Sequence, residues 1–268
     1  MMHQIAEQIK ALIGERCPKT AIILGSGLGA LANEIANPAT IDYTDIKGFP
    51  ASTVQGHGGK LIIGDLEGQT VLCMQGRFHL YEGHKPQVIN TIIKAFQLLG
   101  IKNLIVTNAA GSLNVDFAPG SLMLISDHIN FSGTNPLIGP NDDCLGPRFP
   151  GMADAYTAEF RQKARQIANR LNIRLNEGVY LWALGPCFET AAEIKMFQTL
   201  GGDAVGMSTV PEVICAVHSG MKVLGISVIT NYGTGMNHST PSHEETLREG
   251  NKAATDLTRL VKSFIKEL

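Results

Sequence analysis

Ala21-Ile22-Ile23-Leu24-Gly25-Ser26-Gly27-Leu28-Gly29-Ala30 is a strand-length apolar run that stops at a glycine-rich turn. A short continuous apolar run bounded by glycine suits a strand buried on both faces. The turn fits the dinucleotide spacing G-x-G-x-x-G/A, and Asp42 and Asp45 lie at about the right distance for a ribose-binding acid. The intervening helix, Leu28 to Ile35, is short for a βαβ crossover. The same loop also offers backbone N–H groups and the Ser26 hydroxyl to an inorganic phosphate. Dinucleotide, phosphate and plain turn all stay open on this loop alone.

Working outward, apolar runs of strand length alternate with helical stretches. Strands are expected from Lys60 to Asp65 and from Gln69 to Met74, as a hairpin or as neighbours. Others are expected from Asn103 to Val106, Leu122 to Ser126, Gly178 to Trp182, Ala204 to Met207 and Val223 to Ile229. Helices are expected from Pro86 to Leu99, Ala158 to Asn172, Ala191 to Leu200, Glu212 to Ser219 and His243 to Lys266. The alternation predicts an α/β fold, one domain over residues 1–268, with a mixed central sheet flanked by helices on both faces. The Pro-, Gly-, Asn- and Asp-rich stretch from Gly133 to Gly151 is long for a loop, and such loops are often functional.

The length of 268 residues suits one large α/β domain, and 44% hydrophobic content supplies its core. A net charge of -2 argues against a broad basic surface for nucleic acid. No apolar run reaches membrane-spanning length, and Met1-Met2-His3-Gln4 does not open a signal peptide. Cys17, Cys73, Cys144, Cys187 and Cys215 are scattered, without a CxxC pair, as expected of free thiols in a reducing cytoplasm.

Ligands of such folds bind beyond the carboxyl ends of the strands. Six polar or glycine-rich segments leave the expected strands: Gly25 to Gly29, Gly76 to His79, Asn108 to Gly111, Gly185 to Thr190, Val205 to Ser208, and Thr230-Asn231. Together they are expected to line one pocket. If the strand Val71-Leu72-Cys73-Met74 continues, Arg77, His79 and Tyr81 share one face, and Phe78 and Leu80 point into a core. A cation, an imidazole and a phenol on one face suit an anion beside a hydroxylated group. A polar edge strand is the bland alternative. The small residues of Asn108-Ala109-Ala110-Gly111 let a ligand approach the backbone or simply make a tight turn.

Phe188 offers a flat apolar face and Glu189 two acceptors, although an acidic residue here also favours a helix N-terminus. Asn231 can donate and accept at once, or can simply end a strand. Met207 and Ser208 offer apolar surface and a donor. Ser242 and Glu245 fit a capping box, which leaves His243 unexplained, and His57 stands among glycines with no packing reason. His79 and His84 are five apart, and there is no HExxH and no paired cysteine set, so no catalytic metal is expected. No nucleophile elbow holds in register around Ser26.

These motifs, in this order, resemble the purine nucleoside phosphorylases of the trimeric class, from Ile22 to about Leu247. The specific pieces are Gly25 to Gly29, Gly76 to Gly83, Asn108 to Ser112, Gly185 to Thr190, and Val205 to Glu212. The resemblance implies reversible attack of inorganic phosphate on C1′ of a purine nucleoside, with phosphate a co-substrate and no cofactor. It implies phosphate binding by Ser26, His57, Arg77, His79, the Ala109 backbone and Ser208. It implies ribose contacts from Tyr81 and Met207, a 5′-hydroxyl contact from His243, and purine contacts from Glu189, Asn231, Phe188 and Val205. Phe149 is implied to reach a neighbouring subunit's site, which calls for a homotrimer or a dimer of trimers. Among these, His79, Glu82, Asn231 and His243 are the expected catalytic set, Glu82 orienting His79. A 6-oxopurine N1–H matches the Glu189 carboxylate and adenine N1 does not, so inosine and guanosine are expected over adenosine. Asn141-Asp142-Asp143 and Ala192 to Met196 also resemble the xanthosine-accepting bacterial branch, but Ala183 stands where that branch is expected to carry a larger polar aromatic. Two other functions stay in view: a nicotinamide dehydrogenase built on the glycine loop, and a nucleoside-binding module without catalysis.

Overall fold

The computed structural model describes residues 1–50, 58–237 and 242–268, apart from the Glu245 side chain. Among these residues the strands are β1 (Thr20–Ile23), β2 (Ala36–Asp42), β3 (Lys60–Leu66), β4 (Gln69–Gln75), β5 (Asn103–Ser112), β6 (Leu122–Asn130), β7 (Leu175–Trp182), β8 (Ala204–Gly206) and β9 (Lys222–Tyr232). They form one mixed sheet in the order β2-β3-β4-β1-β5-β8-β7-β6-β9. β5 also pairs with β9 in parallel, so β5, β8, β7, β6 and β9 close on themselves. Closure leaves no free edge at this end of the sheet. β1 runs parallel to both β4 and β5, so β1, β4, β5 and β9 all deliver their carboxyl ends to the same side.

The α-helices are α1 (Met2–Ile13), α2 (Pro86–Leu98), α3 (Ala158–Leu171), α4 (Ala191–Thr199), α5 (Val210–His218) and α6 (His243–Lys266). α1 buries Ile5, Ile9 and Ile13, one residue per turn. It joins α2 and α5 over one sheet face, where Ile92, Phe96 and Val213 share the larger core. α3 and α6 cover the other face, with Phe160 and Phe264 in edge contact at 5.1 Å. Each fully buried Ile, Leu or Phe contributes about 1.5–3 kcal/mol, which holds both helix layers to the sheet.

The strand and helix order agrees with the sequence reading, with informative differences. α1 and β2 were not expected, β2 because its residues are mostly exposed and carry no apolar run. The expected helix from Leu28 to Ile35 is a 3-10 turn over Gly29–Glu34. The chain then enters edge strand β2, antiparallel to β3, where Asp42 faces Lys60 at 3.8 Å. No βαβ crossover follows β1, which removes the dinucleotide reading of the glycine loop. The expected extension of β4 through Tyr81 also fails. β4 ends at Gln75, Gly76 takes φ 114°, and Leu80–Glu82 form a 3-10 turn. Asn108 to Gly111, expected to follow a strand, lies within β5.

Candidate active site

The site begins at an interruption in the sheet. One edge of β5 pairs with β9 along its length. Its other edge pairs with β1 only as far as Val106, and with β8 only from Gly111. Thr107 to Ala110 therefore face a gap between two ladders. The Thr107 hydroxyl closes part of it by accepting from the Gly25 N–H at 3.2 Å. Gly25 has no substitute here, because a Cβ on it would lie 2.7 Å from the Asn108 Cα.

A cavity of about 380 Å³ opens at this gap, a volume within the range of about 300–1,000 Å³ usual for small-molecule sites. All six segments singled out in the sequence contribute to its wall, through Ser26, Arg77, His79, Ala109, Glu189, Ser208 and Asn231 among others. α6 adds His243 and Thr246.

Arg77 and His79 reach the cavity from a turn instead of a strand. Phe78 between them is buried against Tyr43 and Phe49, at 5.1 and 5.8 Å, which pins the turn. Arg77 is almost fully buried; its Nε donates to Glu212 Oε1 at 2.9 Å and its Nη1 to the Thr107 carbonyl at 2.5 Å. The His79 ring stacks on Tyr81, centroids 4.6 Å apart, and its Nδ1 lies 3.1 Å from Glu82 Oε1. Burial pulls the imidazole below its ordinary pKa, against the opposing pull of Glu82. Burial likewise pushes the Tyr81 phenol up to about 12.

Ser208 and Thr209 precede α5. Thr209 has φ 76°, an unusual conformation for a β-branched residue. Its hydroxyl accepts from Asn108 Nδ2 at 2.8 Å and lies 3.1 Å from the Ser208 hydroxyl. The strained turn is thus tied to β5 across the gap.

Phe188, Glu189, Val205, Met207 and Asn231 also line the cavity. Thr190 and Glu193 form the capping box of α4, so Glu189 is not needed as a cap. Burial raises the Glu189 pKa above the usual carboxylate value. Asn231 is buried at the end of β9; its Oδ1 accepts from the Thr230 hydroxyl at 2.9 Å and its Nδ2 donates to the Tyr232 carbonyl at 3.0 Å. These bonds fix the amide's orientation.

His243 lies on the cavity wall at the first turn of α6, where Thr246 N–H donates to the Ser242 carbonyl at 3.1 Å. The expected capping role of Glu245 lies outside the described side chains, and His57 lies outside the described residues. Phe149 is not in this cavity: it is 88% exposed and borders a separate groove with His128, Arg148 and Met152. Sequence reasoning assigned no role to Glu212, Thr209 or Asn108. Glu212 stood in a quoted motif, but an acid in a helix's first turn reads as a local stabiliser. Among the described residues no cluster of three or more His, Cys, Asp or Glu has the arrangement of a metal site, and no helix is long and apolar enough to cross a membrane.

Residues 19–266 match the family model of the phosphorylase superfamily. Purine nucleoside phosphorylase 1 of Geobacillus stearothermophilus is 52% identical over 251 residues, 94% of this chain and 92% of that protein. A crystal structure of Schistosoma mansoni purine nucleoside phosphorylase in complex with inosine superposes with a TM-score of 0.94 at 39% identity, over 100% of this chain and 96% of that one. A crystal structure of that organism's enzyme in complex with adenosine gives 0.93 at 40% identity, with the same coverage. Mixed sheet, cavity and sequence likeness agree: the chain belongs to the phosphorylase superfamily and, within it, to the purine nucleoside phosphorylases.

Proposed function

We propose that the enzyme reversibly phosphorolyses purine ribo- and deoxyribonucleosides, preferring the 6-oxopurines inosine and guanosine, in cytoplasmic purine salvage. The observation that supports this best is the set of side chains that line one cavity. Arg77, His79 and Ser208, which suit an anion, line it together with Glu189 and Asn231, which suit a purine. Inorganic phosphate binds at Ser26, His57, Arg77, His79, Ala109 and Ser208, and no cofactor takes part. Tyr81 and Met207 hold the ribose, His243 meets the 5′-hydroxyl, and Phe188 and Val205 pack on the base.

Phosphate oxygen attacks C1′ as the C1′–N9 bond breaks. Positive charge grows on the ribose beside the phosphate, and negative charge grows on the purine. Asn231 donates toward N7 as that charge develops, and a preorganised donor of this kind contributes about 2.7–4 kcal/mol. With Glu82 holding Nδ1–H, the neutral His79 keeps its other nitrogen as an acceptor toward a phosphate hydroxyl. Holding both reactants in one cavity removes a further entropic barrier.

The Glu189 carboxylate accepts from N1–H of a 6-oxopurine and faces a lone pair in adenine. The mismatch costs roughly 1–3 kcal/mol, a preference and not an exclusion. Ala183 gives no polar contact for xanthosine. Phe149 is exposed in a single chain and serves a neighbouring subunit's site, in a homotrimer or a dimer of trimers. Neither nucleic acid nor membrane is a partner.

The test is inosine cleavage with and without phosphate. Strictly phosphate-dependent hypoxanthine release is expected. Equal release without phosphate means a hydrolase, and binding without release means a binding module. Guanosine, adenosine and xanthosine run alongside decide the base preference.

A further inference from the structure

Glu212 is a buried carboxylate to which the reaction above gives no part. It occupies the third position of α5, where an acidic side chain ordinarily turns back onto its own helix N-terminus. Here it turns away, and α5 opens without a side-chain cap. Its Oε1 accepts instead from Arg77 Nε at 2.9 Å, 135 positions earlier in the chain, with the two side chains 5% and 2% exposed.

Arg77 needs such a hold. It follows the left-handed Gly76 and lies outside any strand, so backbone pairing does not orient it. Glu212 grips the guanidinium at Nε and the Thr107 carbonyl grips it at Nη1. Two acceptors on different elements fix the plane of a rigid, forked cation. Ser208, four residues before Glu212, lines the same cavity as Arg77. The entry to α5 thus brings one cavity-lining residue and the clamp of another together as a unit.

We infer that Glu212 is a positioning residue for phosphate recognition: it sets the orientation in which the Arg77 guanidinium meets the phosphate. The inference rests on the phosphorolysis reading. Two substitutions separate geometry from charge. Glu212→Asp keeps the charge and withdraws the acceptor by one methylene. Glu212→Gln keeps an acceptor at the same reach and removes the charge.

The experiment measures KM for phosphate and for inosine, kcat, and the rise in Tm on adding inorganic phosphate, for both variants and the unsubstituted enzyme. Glu212→Asp is expected to raise the phosphate KM about tenfold or more, the cost of a lost charge-assisted hydrogen bond, and to shrink the phosphate-induced Tm rise. Its inosine KM stays within about twofold. Glu212→Gln restores the phosphate KM to within about threefold of the unsubstituted enzyme. An unchanged phosphate KM in Glu212→Asp overturns the inference, and so does an equal rise in both KM values. If Glu212→Asp fails to fold, Glu212→Gln decides, and a tenfold rise in its phosphate KM overturns the positioning role. Failure of the unsubstituted enzyme to respond to phosphate refutes the phosphorolysis reading itself, a separate outcome.

Discussion

Glu82 meets His79 twice through one oxygen: Oε1 accepts from the His79 main-chain N–H at 2.8 Å and lies 3.1 Å from its ring Nδ1. The same carboxylate therefore shapes the 3-10 turn and selects the tautomer of the imidazole. Glu82→Ala is expected to lower kcat/KM roughly ten- to hundredfold, the range for a lost hydrogen bond to a charged group. It also removes the hydrogen bond and negative charge through which Glu82 raises the pKa of His79, so with burial less opposed the ring titrates at still lower pH. Steady-state kinetics and NMR titration of the histidine check both effects. A kcat/KM within twofold of the parent removes Glu82 from the mechanism.

Asn231→Asp replaces the donating amide by an acceptor at the end of β9. The developing charge on a purine N7 then meets a carboxylate. Loss of about 2.7–4 kcal/mol, or a hundred- to thousandfold in kcat on inosine, is expected. Unchanged inosine turnover contradicts the role given to Asn231.

Base choice carries a pH signature. Burial raises the pKa of Glu189, so as pH falls this carboxylate takes its proton earlier than an ordinary glutamate. The inosine KM is expected to rise on that acid limb while the phosphate KM does not follow it. Glu189→Gln should flatten the limb and narrow the inosine-to-adenosine ratio by roughly 1–3 kcal/mol. An inosine KM profile indifferent to this substitution assigns base recognition elsewhere.

Phe149 is 88% exposed, so Phe149→Ala should change subunit stability by no more than about 0.5 kcal/mol. Its effect is expected on the nucleoside KM instead. Mixing Phe149→Ala with Asn231→Ala subunits should give more activity than the two parents summed, since mixed assemblies regain some intact sites. Strict additivity, or a monomer by sedimentation, rejects contribution from a neighbour.

Much of the site was legible because its residues sit in short glycine-rich or polar segments after apolar strands. Ser26, Arg77, Asn231 and Glu189 each stand beside such punctuation. The geometry was legible only in part. Arg77, His79 and Tyr81 were expected to meet by strand alternation, and they meet in a turn instead. Gly76 breaks the strand, and the burial of Phe78 then restores the same convergence. The residues around Asn108 were expected to follow a strand, as a close approach for a ligand or as a tight turn, because small residues are ambiguous out of context. In the fold they are a strand whose partner changes from β1 to β8.

The sequence by itself determined the alternation that makes an α/β sheet, the chemistry available at each strand end, and the likeness to one family. Those are local properties, carried by periodicity, glycine placement and short motifs. Only the tertiary structure decided that the glycine loop leads to an edge strand, that β5 leaves a gap wide enough for a cavity, and that Glu212 clamps Arg77. Each of these joins segments far apart in the chain. A carboxylate at a helix start has the same local sequence whether it caps its own helix or turns to a buried guanidinium 135 residues away. The packing of α5 against the sheet makes that choice.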